Sequence, residues 1–197
     1  MIFFDLGNVL VKFDPQIAVK KFESLFGVSK ESLWHAMFVS DIERDYTVGK
    51  ISSLEFHSRV CHYFKKSVDY KIFSDIWNDI FWLNEGMEEL VSKLAARYPL
   101  YLISNTNELH FEFIKKHYPI LKHFRKHFPS HEVGARKPEP AIFRHALKEA
   151  QVRAEEAVFI DDIADFVEAA KNVGMRGIQF QSRHLLEEDL RKVGFTF

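Results

Sequence analysis

Met1-Ile2-Phe3-Phe4-Asp5-Leu6-Gly7-Asn8-Val9 decides how this chain of 197 residues is read. Four residues of an apolar run end abruptly in Asp5, too short for a surface helix and suited to a buried strand. The same pattern returns far downstream, where Ala157-Val158-Phe159-Ile160 runs into Asp161-Asp162. In an open α/β sheet, ligands bind outside the carboxyl ends of the strands, so two strands that each end in Asp predict a two-ended carboxylate site. An Asp after a strand is by itself an ordinary turn or helix cap. The intervening sequence must therefore carry the rest of the argument.

Between the two ends the pattern changes once. Asp14-Pro15 is a helix start, with Asp as N-cap and Pro at the first helical position, followed by a stripe of Ile17, Phe22, Leu25 and Phe26. Ser29 caps a segment with Leu33, Met37 and Phe38. Ser52 with Glu55 forms a capping box ahead of Phe56, Val60 and Phe64, and Gly49 ends the short helix between them. Ile72, Phe73, Ile76, Trp77 and Ile80 keep the helical spacing, so residues 15–80 read as an all-helical insertion. From Gly86 onward helices alternate with the strands Leu100 to Ile103, Val158 to Ile160 and Gly177 to Phe180. The prediction is an α/β fold, a doubly wound Rossmann-like parallel sheet with an inserted all-helical cap. Residues 1–14 and 81–197 form the core and 15–80 the cap.

Composition narrows the function. The formal net charge of -1 gives no basic footprint for nucleic acid. Cys61, the only cysteine, excludes an intramolecular disulfide and a cysteine-rich zinc site, and is read as a small buried apolar residue. No run approaches the ~20 apolar residues of a membrane span, and no basic leader precedes an apolar stretch, so a cytoplasmic protein, monomer or homodimer, is expected. Most of the 20 Phe fall on helical or strand periodicities and belong to the core.

Two further stretches stand at sheet edges. Ser104-Asn105-Thr106 follows the strand at Leu100 and offers hydroxyl and backbone N–H groups to an oxyanion, although Asn105 with Glu108 also has capping-box spacing. Lys137, in Arg136-Lys137-Pro138-Glu139-Pro140, can deliver a point charge to phosphate, or be one more solvated lysine; Arg136 reads as structural. Phosphoryl transfer through a carboxylate needs a nucleophile, a hard cation, a hydroxyl or amide cradle and a positive charge. Asp5, Asp162, Ser104 with Asn105, and Lys137 supply these in chain order.

In this order the motifs resemble those of the haloacid dehalogenase superfamily, in its phosphatase branch with a small helical cap, and the chain is most similar there to the α-D-glucose-1-phosphate phosphatase group. Phe4-Asp5-Leu6-Gly7-Asn8-Val9-Leu10 looks like the first motif, Ile103-Ser104-Asn105 the second, Arg136-Lys137-Pro138 the third and Phe159-Ile160-Asp161-Asp162 the fourth. The resemblance implies that Asp5 is the nucleophile, that Mg²⁺ is held by Asp5, the Gly7 carbonyl and Asp162, and that Ser104, Asn105 and Lys137 bind the phosphate of a small phosphorylated metabolite, sugar phosphates included. Asp161 is then a supporting carboxylate and Asp165 a helix-start residue. The branch usually places an acidic residue where this chain has Gly7, which removes the expected acid/base and leaves open a catalytically weak phosphate-binding or regulatory protein. A haloacid dehalogenase is the other alternative, disfavoured because it needs no second metal carboxylate. His35, Asp41, Glu43, Arg44 and His57 of the cap read individually as solvated charges, and Thr47 stands where the branch often has glutamate.

Overall fold

A computed structural model describes residues 1–197. In chain order the elements are β1 (Ile2–Phe4), β2 (Val11–Phe13), α1 (Pro15–Phe26), α2 (Lys30–Trp34), α3 (Asp41–Thr47), α4 (Ser53–Tyr63), α5 (Tyr70–Asn78), β3 (Phe81–Leu83) and α6 (Met87–Ala95). They continue with β4 (Leu100–Ser104), α7 (Glu108–His117), β5 (Lys126–Pro129), α8 (Ser130–Val133), α9 (Pro140–Ala150), β6 (Val158–Asp161), α10 (Ala164–Asn172), β7 (Arg176–Gln179) and α11 (Arg183–Lys192). Five strands form one parallel sheet in the order β5-β4-β1-β6-β7, the doubly wound arrangement expected from the alternation of elements.

The pleat sorts the apolar strand residues onto two faces. Ile2, Phe4, Leu100, Leu102, Val158 and Ile160 pack under α6, α7 and α11, while Phe3, Tyr101, Ile103 and Phe159 pack against α9 and α10. Both faces are covered, which is why these strands read as continuous apolar runs rather than alternating ones. Phe4 pairs with Leu102 on one side and Ile160 on the other, so β1 is central and brings Asp5 to the sheet edge between the ends of β4 and β6. The strand order reverses about β1, where a doubly wound sheet leaves its crevice.

Helices α1 to α5 lie between β2 and β3, which pair antiparallel with Phe13 opposite Phe81 and Val11 opposite Leu83. The chain thus enters and leaves the helical cap through one ribbon. The cap has its own aromatic core, in which Phe22, Phe26, Phe56, Phe73 and Trp77 are buried, with Phe56 and Trp77 rings 5.2 Å apart. Predicted caps are realised: Asp14 accepts from Gln16 N, Ser29 from Ser32 N and Ser52 from Glu55 N. Between α2 and α3 one π-helical turn, His35–Val39, carries Met37 and Phe38. Such turns re-aim side chains out of a regular helix. Cys61 is only partly buried, with its sulfur 3.4 Å from His57 Nε2. No helix is long and apolar enough to cross a membrane.

The cap is docked onto the core by polar contacts. Tyr46 hydroxyl lies 2.8 Å from Ser53 Oγ and accepts from Leu109 N, while Ser53 donates to Glu108 at 2.5 Å. Ser130, fully buried at the start of α8, has Thr47 O of the cap at 2.7 Å and Thr106 O of the core at 2.9 Å from its hydroxyl, which also accepts from Thr106 N. The turn after α3 approaches so closely that a Cβ on Gly49, at φ +71°, would stand 2.0 Å from His131 O. Glycine is required there twice over, by conformation and by space.

Candidate active site

Asp5, Asp161 and Lys137 meet in a buried cluster at the carboxyl edge of the sheet. Lys137 Nζ lies 2.7 Å from Asp5 Oδ1 and 2.6 Å from Asp161 Oδ2, and its side chain is 1% exposed. The reading of Lys137 as one more solvated lysine is therefore overturned. A lysine is buried only when paired, and here two carboxylates pair it while the rings of Phe159 and Phe166 stand 5.5 and 5.1 Å from Nζ. Burial pushes the Asp5 and Asp161 carboxyls above their usual range; the Asp5 charge adds to this at Asp161, and Lys137 opposes it at both. Burial works against the lysine's charge, and the two carboxylates more than offset it.

The lysine is aimed by its backbone. Asn105 accepts from Lys137 N at 2.7 Å and donates to Lys137 O at 2.9 Å, so its amide clamps the lysine loop onto the end of β4. The capping role considered for Asn105 belongs to Asn107, whose side chain accepts from His110 N ahead of α7. The Lys137–Pro138 bond is cis, and α9 begins at Pro140.

The two neighbouring aspartates have different surroundings. Asp161 spends Oδ2 on Lys137 and Oδ1 on Ile163 N at 2.9 Å, whereas Asp162 is half-buried and its carboxylate accepts only from Asn8 Nδ2 at 3.2 Å. The carboxylates of Asp5, Asp161 and Asp162 each offer an oxygen within 4.8 Å of the others. An all-oxygen set of this kind fits a hard cation such as Mg²⁺, and Asp162 rather than Asp161 has the freer oxygens for it. Asn8 was not foreseen. It adopts φ 56°, which asparagine tolerates, and its carbonyl is held by Asn84 Nδ2 at 3.2 Å, tying the first loop to Asp162.

Gly7 is explained by its neighbour. A Cβ at position 7 would come within 2.8 Å of Phe13 Cε1, so an aromatic ring fills the space where an acidic side chain would begin.

Beside the cluster, between cap and core, lies a cavity of about 190 Å³. Gly7, Ser104 and Asn105 border it on the core side, and Ser104 is 2% exposed. Met37, Phe38 and Trp77 border it on the cap side, together with Glu43 and Thr47. Of the cap charges considered in the sequence, only Glu43 reaches this cavity; His35, Asp41 and Arg44 are exposed, and His57 is bonded to Val68 O at 2.8 Å. Arg136 also lines it, 3.4 Å from Glu43, so its structural reading covers only part of its position.

His110 forms part of the cavity wall with both ring nitrogens engaged. Nε2 lies 3.0 Å from Trp77 O, Nδ1 lies 3.1 Å from Asn107 Nδ2, and the ring stacks on Trp77 at 4.8 Å. These partners define a neutral ring that donates through Nε2. Burial lowers its pKa from 6.5 to about 4, against the opposing pull of the Trp77 carbonyl. The unfolded chain therefore binds this proton at a higher pH than the native protein, and stability is lost as pH falls from 6.5 towards 4. The loss is expected to reach about 3 kcal/mol. Urea midpoints at pH 7 and pH 4.5, compared with His110→Gln, should show a larger drop in the wild type; parallel drops would refute a neutral buried histidine.

A family model for haloacid dehalogenase-like hydrolases matches residues 1–174. D-ribitol-5-phosphate phosphatase of Bacteroides thetaiotaomicron is 27% identical over 187 residues, covering 90% of each chain. Drimenol cyclase of Aspergillus calidoustus is 35% identical over 94 residues, 48% of this chain and 18% of that much longer one. The crystal structure of a HAD family enzyme from Bacteroides thetaiotaomicron, in complex with magnesium and inorganic phosphate, superposes with a TM-score of 0.85 at 26% identity, covering 93% of this chain and 97% of that one.

Proposed function

We propose a function for this chain from one premise, that it belongs to the haloacid dehalogenase-like hydrolase family. It is a Mg²⁺-dependent phosphatase of small phosphorylated metabolites, sugar phosphates among them, with residues 1–14 and 81–197 as the catalytic core and 15–80 as the cap. The observation that carries this reading is the buried lysine between Asp5 and Asp161 with Asp162 alongside, next to a cavity bordered by Gly7, Ser104 and Asn105. A related phosphatase and a similar structure holding magnesium and phosphate support it.

In this mechanism an Asp5 carboxylate oxygen attacks phosphorus, the bond from phosphorus to the leaving oxygen breaks, and the alcohol leaves with a proton from water. Water then attacks the aspartyl-phosphate, releasing inorganic phosphate and restoring the carboxylate. Ser104 and Asn105 hold phosphate oxygens, and Lys137 balances the charge of nucleophile and phosphate as they approach. Asp5, Asp162 and the Gly7 carbonyl would hold Mg²⁺, which when bound neutralises phosphate charge. Asp161 keeps the lysine in place.

Purified protein is expected to release phosphate from members of a phosphomonoester panel with Mg²⁺, to lose at least 90% of that rate in excess EDTA, and to regain it on adding Mg²⁺. Equal rates with and without chelator would overturn the metal role. The Phe13 ring over Gly7 favours one second reading, a slow enzyme or a silent phosphate binder. Saturable phosphate binding with no release from any panel member would select it.

A further inference from the structure

The cavity beside the acidic cluster has two kinds of wall. Phe13, Phe38, Trp77 and Phe81 present aromatic surface, suited to the C–H faces of a carbon chain. Among them stand polar side chains, most of which are already committed. His110 uses both ring nitrogens, Asn107 uses both ends of its amide, and the Tyr46 hydroxyl is held between Ser53 and Leu109 N. Glu43, Thr47 and Arg136 differ. Glu43 Oε1 accepts from Thr47 Oγ1 at 2.6 Å, and Oε2 has only Arg136 Nη1 at 3.4 Å. A carboxylate accepts about four hydrogen bonds and a guanidinium donates five, so both retain unused capacity at the cavity wall.

We propose that Glu43, Thr47 and Arg136 are the specificity residues of this phosphatase, reading the hydroxyl groups of a phosphorylated sugar or polyol. Glu43 accepts from one hydroxyl, Arg136 donates to a neighbouring one, Thr47 fixes the Glu43 rotamer, and the aromatic walls cover the carbon chain. The cavity of about 190 Å³ has room for a short polyhydroxylated chain. Glu43 and Thr47 lie on α3 of the cap, and Arg136 precedes Lys137 in the core, so the hydroxyl-reading set is assembled only when the cap is docked. A site that bonds hydroxyls discriminates by leaving its own buried polar groups unpaired when the wrong ligand enters. The inference rests on the phosphatase reading of Asp5, and its test separates the two.

The experiment measures kcat/KM of the wild type, Glu43→Leu and Thr47→Val on a pentitol 5-phosphate, on its deoxy analogues, and on p-nitrophenyl phosphate, which has no hydroxyl to read. Glu43→Leu is expected to lose about 100-fold on the pentitol phosphate, mainly in KM, and at least tenfold less than that on p-nitrophenyl phosphate. Thr47→Val loses a smaller amount with the same selectivity, and the wild type disfavours the deoxy analogue that lacks the bonded hydroxyl. Equal losses on all substrates, the signature of a general defect in cap docking, would overturn the proposal, as would no loss. An inactive wild type on every ester would instead sink the phosphatase reading. In that event the thermal shift given by pentitol 5-phosphate relative to inorganic phosphate still decides: an excess present in wild type and lost in Glu43→Leu sustains the reading of hydroxyls, and no excess refutes it.

Discussion

Asp5→Asn is expected to lower kcat by about 10⁴-fold or more while leaving the protein at least as stable as the wild type. The amide cannot attack phosphorus, and removing one member of a set that acts as a unit costs nearly the whole chemical step. The stability half follows from burial. Asp5 sits with its carboxyl pushed up by desolvation, partly offset by Lys137, so a neutral isostere removes an unfavourable buried charge. Lys137 keeps its bond to Asp161 at 2.6 Å, and the fold keeps its cation paired. Single-turnover phosphate release and thermal melts on the same preparation test both halves. Activity within tenfold of wild type would remove Asp5 from the mechanism.

Lys137→Met should do the opposite on stability and the same on activity. It strands two buried carboxylates that now share one cation, and breaking a buried pair from one side costs about 3–5 kcal/mol. The pH dependence has a definite sign. Both carboxyls already titrate above their unfolded values in the native protein, and without the lysine they rise further. Groups with raised native pKa values contribute stability at low pH that is lost as pH rises through those values, so the Lys137→Met defect should be largest at neutral pH and shrink on acidification. Lys137→Met with Asp161→Asn should recover much of the stability and none of the activity. A defect that does not change with pH, or a double variant no more stable than the single, would show that Lys137 is held by packing rather than by its charges.

The sequence made some of this legible and concealed the rest for physical reasons. β1, β4 and β6 are buried on both faces and announce themselves as apolar runs, and the Asp and Ser residues at their ends, with Lys137 in the loop ahead of α9, stand where the structure brings them together. The cap helices were legible because Asp14, Ser29 and Ser52 cap them through local hydrogen bonds. β2 and β3 were not, since three-residue strands carry too little period to distinguish from loop, and β5 is an edge strand ending in Pro129. In the site, Asp5 and Asp162 were visible as strand-end acids. Asn8 and Ser130 were not, because each acts through a partner distant in sequence, and Glu43 looks like any solvated glutamate until α3 is folded against the core. Arg136 was set aside for the same reason.

Ser130 has a consequence of its own. Its hydroxyl has one proton and two carbonyls within reach, Thr47 O on the cap and Thr106 O on the core. If the cap lifted, rotation about one torsion angle would pass that proton from the first to the second. The Thr47 carbonyl would leave with the cap and be hydrated, and the buried hydroxyl would keep an acceptor. Undocking would therefore leave no frustrated polar group in the core, and redocking would need only the reverse turn of the same bond.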